Sequence, residues 1–151
     1  MNLAPAQIRP MTPADIDQVL AIAASLPTAP HWPASAYLDA QASTPPRVAL
    51  VAEIDNSIAG FAIASHLPPQ AELELIAVAP AHQRQGLAQQ LFAALIANLR
   101  ALNVSEILLE LRASNHPALA LYRRLNFVVN GRRSRYYQNP VEDSILMRLG
   151  I

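Results

Sequence analysis

The residues of this chain that could do chemistry fall in a few short stretches. Glu110 interrupts an otherwise apolar run, Leu108-Leu109-Glu110-Leu111, and a carboxylate is costly to bury there unless it is paired or its pKa rises. It is either half of an ion pair, with Arg112 or Arg84, or a group that takes a proton. Tyr122 closes the segment Ala118-Leu119-Ala120-Leu121-Tyr122. Its phenol can give up a proton, or its ring can pack with Leu119 and Leu125. Glu72 and Glu74 share one face of an extended segment by the two-residue period of a strand, as solvated carboxylates or as an acidic patch.

These groups need elements to hold them. The apolar run from Glu72 to Val78 reads as a strand that breaks at Pro80, and leucine then recurs at Leu87, Leu91, Leu95, Leu99 and Leu102, the spacing of a helix. Between them lies His82-Gln83-Arg84-Gln85-Gly86-Leu87-Ala88. A loop at the start of a helix presents unsatisfied N–H groups and the positive end of the dipole, so it suits a phosphate. Gly86 permits close backbone approach and Arg84 adds charge. Neither Gly-x-x-x-x-Gly-Lys-Ser/Thr nor Gly-x-Gly-x-x-Gly occurs, which argues against an ATP or dinucleotide enzyme.

The rest of the chain supplies a mixed α/β frame. Ile8-Arg9-Pro10 reads as a first strand. Thr12 can cap a helix that Pro13 opens and that runs to about Leu26, with Ile16, Val19, Leu20 and Ala23 inward. Prolines 27, 30 and 33 keep His31 and Trp32 on a loop beside a substrate site, and a short helix follows from Ser35 to Ala42. Arg47 to Ile54 and Ile58 to His66 are strands joined by an Asp55-Asn56-Ser57 turn. Ser105 to Arg112 is a strand, Asn115 to Leu125 a helix capped by Ser114 or Asn115, and 127–131 and 144–149 are closing strands. The strands carrying Glu72 and Glu110 are joined through one helix and are therefore parallel neighbours. Ligands bind at the carboxyl ends of such strands.

Bulk properties exclude several classes. At 151 residues the chain reads as one domain, residues 1–151, long enough to bury roughly 70% of its unfolded surface. Eleven basic and eleven acidic residues leave no net charge, which speaks against a nucleic-acid or membrane partner. Without cysteine there is no disulfide framework and no cysteine-linked acyl-enzyme. The four histidines, His31, His66, His82 and His116, lack metal-ligand spacing, so no metal is expected. No basic and apolar leader and no run of ~18–20 apolar residues is seen, so a cytoplasmic protein is expected.

The pattern Gln-x-x-Gly-x-Ala at Gln83, Gly86 and Ala88, after the strand end Val78-Ala79-Pro80, resembles the pyrophosphate signature of the GNAT acetyltransferases. Leu109-Glu110-Leu111-Arg112-Ala113-Ser114-Asn115, then Leu121-Tyr122, Leu125-Asn126-Phe127, Arg132-Arg133-Ser134-Arg135-Tyr136-Tyr137 and Glu142-Asp143 narrow the resemblance to the bacterial ribosomal-protein-alanine N-acetyltransferases. It covers residues 70–149 well and the first 70 loosely, mainly through His31-Trp32-Pro33.

The resemblance implies a GNAT fold with a centrally splayed sheet and direct transfer of acetyl from acetyl-coenzyme A to an amine, the N-terminal alanine of a ribosomal protein or a similar protein N-terminus being favoured. It places the pyrophosphate on Gln83, Arg84, Gln85, Gly86, Leu87 and Ala88, and the pantetheine arm along Ile76, Ala77 and Val78 with Asn115 and Tyr122. Glu110 becomes the base and Tyr122 the acid, with Trp32, Glu74, Tyr136 and Tyr137 near the acceptor. Arg132, Arg133 and Arg135 form a rim there rather than a nucleic-acid site.

Two departures bear on this reading. Asn126 stands where the family has glycine, which requires φ > 0 of a residue that tolerates it better than most. Glu72 occupies the position of the base in the histone-acetylating branch, so it is a second candidate. The alternatives are the same chemistry on a small amine, which an acidic pocket around Glu72 and Glu74 would favour, and a non-catalytic coenzyme A-binding regulator.

Overall fold

The computed structural model describes residues 5–26, 31–43 and 46–151. Pro27, Pro30 and Pro45, expected to break regular structure, lie outside them. In chain order the elements are β1 (Gln7–Pro10), α1 (Ile16–Ala24), α2 (Ala34–Gln41), β2 (Arg47–Ile54), β3 (Ser57–Leu67), β4 (Gln70–Val78), α3 (Leu87–Ala101), β5 (Glu106–Arg112), α4 (His116–Arg124), β6 (Val128–Tyr137) and β7 (Glu142–Gly150). The strands form one seven-stranded sheet ordered β1-β2-β3-β4-β5-β7-β6.

Every neighbouring pair is antiparallel except β4 and β5. That parallel ladder is short, running only from Gln70↔Glu106 to Glu72↔Leu108. Beyond it the strands part, and the remainder of β4 has no strand beside it on that side. This is the central splay that the resemblance implies, in a mixed α/β fold.

Two apolar clusters hold the sheet. On one face Leu87, Leu91, Phe92, Leu95 and Leu99 of α3 pack on alanines 52, 62 and 64 and on Leu109 and Leu111. On the other, Ile16, Val19, Ile22 and Ala23 of α1 and Tyr37 and Ala40 of α2 cover Val51, Phe61, Ile63, Leu75 and Ala77. Burying a Leu or Ile side chain contributes about 1.5–3 kcal/mol, so these two stripes orient the helices. Leu102, expected to continue the leucine repeat, lies past the last turn of α3 and is 40% exposed. Small residues let α3 approach the sheet: a Cβ on Gly60 would sit 2.8 Å from the Ala77 carbonyl oxygen and 3.1 Å from Leu91.

Strand β4 changes face partway along. Ala71 and Leu73 join the α3 cluster, whereas Leu75 and Ala77 join the α1/α2 cluster. The β3 register slips between Ile63 and Ala64, pairing them with Leu75 and Leu73 and leaving Glu74 as the extra residue. Such a bulge re-aims the side chains that follow it, and it lies where β4 leaves β5.

The closing hairpin is longer than expected. Strand β6 was anticipated to end at Gly131 but continues through Arg132–Tyr137, pairing with β7 across irregularities at Val129/Gly131 and Arg133/Tyr137. A mostly exposed, arginine-rich edge strand lacks the apolar alternation that marks a strand. At the other end of the chain, the Asp15 carboxylate caps the turn before α1, accepting from the N–H and hydroxyl of Thr12 and from Arg9. The Arg9 guanidinium holds the Asp15 carboxyl below its usual range.

Candidate active site

A cleft of about 1340 Å³ opens where β4 and β5 part. One wall is Ile76, Ala77 and Val78, continuing into His82, Gln83, Arg84, Gly86, Leu87 and Ala88. The facing wall is Glu110, Leu111, Arg112, Asn115 and Tyr122, and Glu74, His31 and Tyr137 also line the cleft.

The loop is ordered by the strand it leaves. The Gln83 side-chain amide donates to the Val78 carbonyl at 3.1 Å. Arg84 (φ 63°) and Gly86 (φ 78°) are both left-handed, with Gly86 at the N-cap of α3. Alternation of handedness is how successive backbone N–H groups come to surround an anion, here at the positive end of a fifteen-residue helix. A Cβ on Gly86 would meet nothing within 4 Å, so glycine is needed for its conformation rather than for room. Gln85 does not line the cleft.

The opposite wall is built from side chains. Asn115 caps α4 by accepting from the Ala118 N–H at 3.2 Å. This settles the choice between Ser114 and Asn115, since Ser114 instead donates its N–H to Glu142 at 2.5 Å. Tyr122 sits on α4 with its ring edge-to-face on Phe127, centroids 5.9 Å apart, so it both packs and lines the cleft. Burial pushes its phenol up to about 12, with the nearby Tyr137 adding to the effect. A proton so held is available for donation at any physiological pH. The turn after α4 takes the left-handed residue expected at Asn126 (φ 73°) and brings Phe127 under Tyr122.

Glu110 is 17% exposed, and its Oε2 accepts from the Ser144 hydroxyl at 2.5 Å and lies 3.4 Å from Arg133 Nε. The anticipated partners, Arg112 and Arg84, are thus replaced by one two strands away. Arg112 reaches over the hairpin instead, to Glu142 and the carbonyls of Gln138 and Pro140, with its guanidinium 4.6 Å from the Tyr137 ring centroid. Arg133 lies across β7 from Arg112, because Ser144 pairs with both. Sequence reasoning missed Ser144, since a serine at the head of an apolar strand carries no signal of its own.

The Glu74 end of the cleft is less acidic than its composition suggested. Glu74 is paired with Arg47 at 2.8 Å, and Arg47 lies 6.0 Å from the Trp32 ring centroid. Trp32 packs on Tyr37 and does not line the cleft; it backs Arg47. Glu72 also lies outside the cleft lining. Burial, then the charges of Glu74 and Glu110, push its carboxyl above the ordinary range. Tyr137 lines the cleft, its phenol raised by burial and then by Glu110, whereas Tyr136 is 48% exposed, stacked against Arg133 outside it. Arg132 pairs with Asp143, so the arginine rim is largely neutralised from within. Among the described residues no group of three or more histidine or carboxylate side chains could hold a metal.

A parallel pair opened above a helix N-terminus, with a carboxylate and a phenol along one wall, fits acyl transfer to an amine. Residues 16–127 match the model of the acetyltransferase (GNAT) family, and the chain belongs to that family of acetyltransferases. An Escherichia coli K12 relative named [ribosomal protein bS18]-alanine N-acetyltransferase is 41% identical over 99 residues, covering 64% of this chain and 67% of its own. A Bacillus subtilis relative provisionally given the same name is 32% identical over 142 residues, 94% of this chain and 93% of its own. The crystal structure of the Escherichia coli ribosomal-protein-S18-alanine N-acetyltransferase superposes with a TM-score of 0.83 at 32% identity, over 97% of this chain and 94% of that one.

Proposed function

We propose that this acetyltransferase moves acetyl from acetyl-coenzyme A to the N-terminal α-amine of a protein, a ribosomal protein with N-terminal alanine being the favoured acceptor, and that it does so in the cytoplasm. One observation carries the reading: the parting of β4 from β5 brings the Gln83–Ala88 loop, Glu110 and Tyr122 onto one cleft. The relatives named for alanine N-acetylation support the choice of acceptor.

The loop amides and Arg84 would hold the pyrophosphate, and the unpaired edge of Ile76–Val78 would take the pantetheine amides. The bound coenzyme supplies an activated thioester carbonyl. Glu110 removes a proton from the acceptor ammonium, because only the neutral amine has the lone pair that forms the new C–N bond. Val78 N–H is the candidate donor to the oxyanion that develops. As the C–S bond breaks, Tyr122 gives its proton to the sulfur, and solvent restores both residues.

The alternative, a small-amine acceptor, drew on an acidic pocket at Glu72 and Glu74. Arg47 neutralises Glu74, and Glu72 stands outside the cleft, which favours the protein N-terminus. The test is thiol release from acetyl-coenzyme A with peptides of varied first residue beside a panel of small amines. All eleven basic residues of the chain are arginine, so acetylation of enzyme lysines cannot confuse the result. Turnover with N-terminal alanine peptides is the expected outcome. Turnover confined to small amines would overturn the acceptor assignment, and coenzyme binding without any turnover would leave a regulator.

A further inference from the structure

Among the described residues, apart from the Tyr37 phenol within the core, the buried polar side chains are Asp15 and Ser144. Asp15 is accounted for by Arg9 and Thr12; Ser144 is not needed by the fold in any comparable way. It is 0% exposed, in the strand between β5 and β6, opposite Arg112 on one side and Arg133 on the other. Burying a hydroxyl there costs about 1–3 kcal/mol unless its hydrogen bond is made, and alanine would fit the same space. Its hydroxyl donates to Glu110 Oε2 at 2.5 Å, the oxygen that also faces Arg133 at 3.4 Å. Both contacts fall on one oxygen, and neither occupies Oε1.

We propose that Ser144 is a positioning residue: it clamps Glu110 through Oε2 so that Oε1 is the oxygen offered to the acceptor amine. This rests on Glu110 being the base. The terminal torsion of a glutamate is broad and roughly two-fold, so an unclamped carboxylate divides its time between orientations. A short hydrogen bond to a charged acceptor is among the stronger ones available, and β7, paired on both sides by β5 and β6, can hold it. Arg133 is a poorer clamp, its side chain being 55% exposed and its distance longer. The Ser144 proton stays on Ser144 throughout; the proton of the amine goes to Oε1.

The experiment is a cycle of Ser144→Ala, Glu110→Gln and the double variant, assayed with acetyl-coenzyme A and the acceptor amine that turns over best. Ser144→Ala is expected to lower kcat about tenfold to a hundredfold, the scale of misplacing a catalytic group, with both KM values little changed. In the Glu110→Gln background it should cause no further loss. In the absence of any acceptor, the Glu110 carboxyl carbon resonance, assigned by its disappearance in Glu110→Gln, should shift in Ser144→Ala. Unchanged kcat or an unmoved resonance in Ser144→Ala, with Glu110→Gln inactive, would overturn the positioning role while leaving the base in place. An active Glu110→Gln would overturn the base and with it the clamp. An equal further loss in the double variant would make Ser144 merely structural.

Discussion

Along the β4 wall the cleft is backbone: an unpaired strand edge, a loop with two left-handed residues, and the end of a helix. Along the facing wall, from β5, β6, β7 and α4, it is side chains held by other side chains, Glu110 by Ser144 and Arg133, Arg112 by Glu142 and Tyr137, and Tyr122 by Phe127. A backbone site depends on conformation and tolerates most side chains. A side-chain site depends on register, so one substitution can disable a neighbour it never replaces. The first wall suits a ligand that never changes, the coenzyme, and the second suits chemistry and an acceptor that must be chosen.

The largest effect should therefore come from the side-chain wall and appear in turnover. Tyr122→Phe removes one hydroxyl and keeps the ring on Phe127. Loss of a general acid costs about 10²–10⁴-fold, so kcat should fall at least a hundredfold while the KM for acetyl-coenzyme A stays within about twofold. The wild-type alkaline limb adds a second check. The Tyr122 phenol is raised to about 12 from its ordinary 10.0, so its protonated form persists and kcat should show no break at the ordinary tyrosine value. A break there that vanishes in Tyr122→Phe would keep the acid but return its phenol to the ordinary value, and one that persists would belong to another group.

A smaller effect of the opposite kind is expected at Gly86. Its φ of 78° costs a side-chain-bearing residue about 1–2 kcal/mol, yet nothing lies within 4 Å of its Cβ position. Gly86→Ala should raise the KM for acetyl-coenzyme A about fivefold to tenfold with kcat nearly unchanged. If kcat fell instead, with KM unmoved, the two walls would not be separable in the way their construction implies.

The same contrast explains what could be read in advance. Strand–loop–helix, leucine spacing and a glycine in the loop are local, and β2 spans Arg47–Ile54 as anticipated. Asn126 could be read as left-handed because it stands where the resembled family has glycine. The partner of Glu110 could not be read, because Arg133 reaches it only through a β6–β7 register set by two irregularities. A proline-bounded loop does not say what its side chains meet, and the Trp32 ring lies against Tyr37 and beside Arg47. Ion pairs between segments distant in sequence are decided by the fold, and a residue list does not contain them.

Glu72 offers the finest test of the division, because it is a carboxylate on the sheet that belongs to neither wall. Its carboxyl is raised above the ordinary 4.5 by burial and by the like charges of Glu74 and Glu110. A raised folded value means the neutral form is favoured in the fold: its stabilisation is complete below the unfolded value and is lost as pH rises through the folded one. At neutral pH the ionised Glu72 is thus mildly destabilising. Glu72→Gln should leave kcat unaltered and stabilise the protein by a few tenths of a kcal/mol, reduced by solvent screening of an exposed group. Denaturant melts at neutral pH and below the ordinary carboxyl value should show that gain shrinking as the pH falls. A loss of turnover would instead make Glu72 the base, and the wall of side chains would then have to extend to β4.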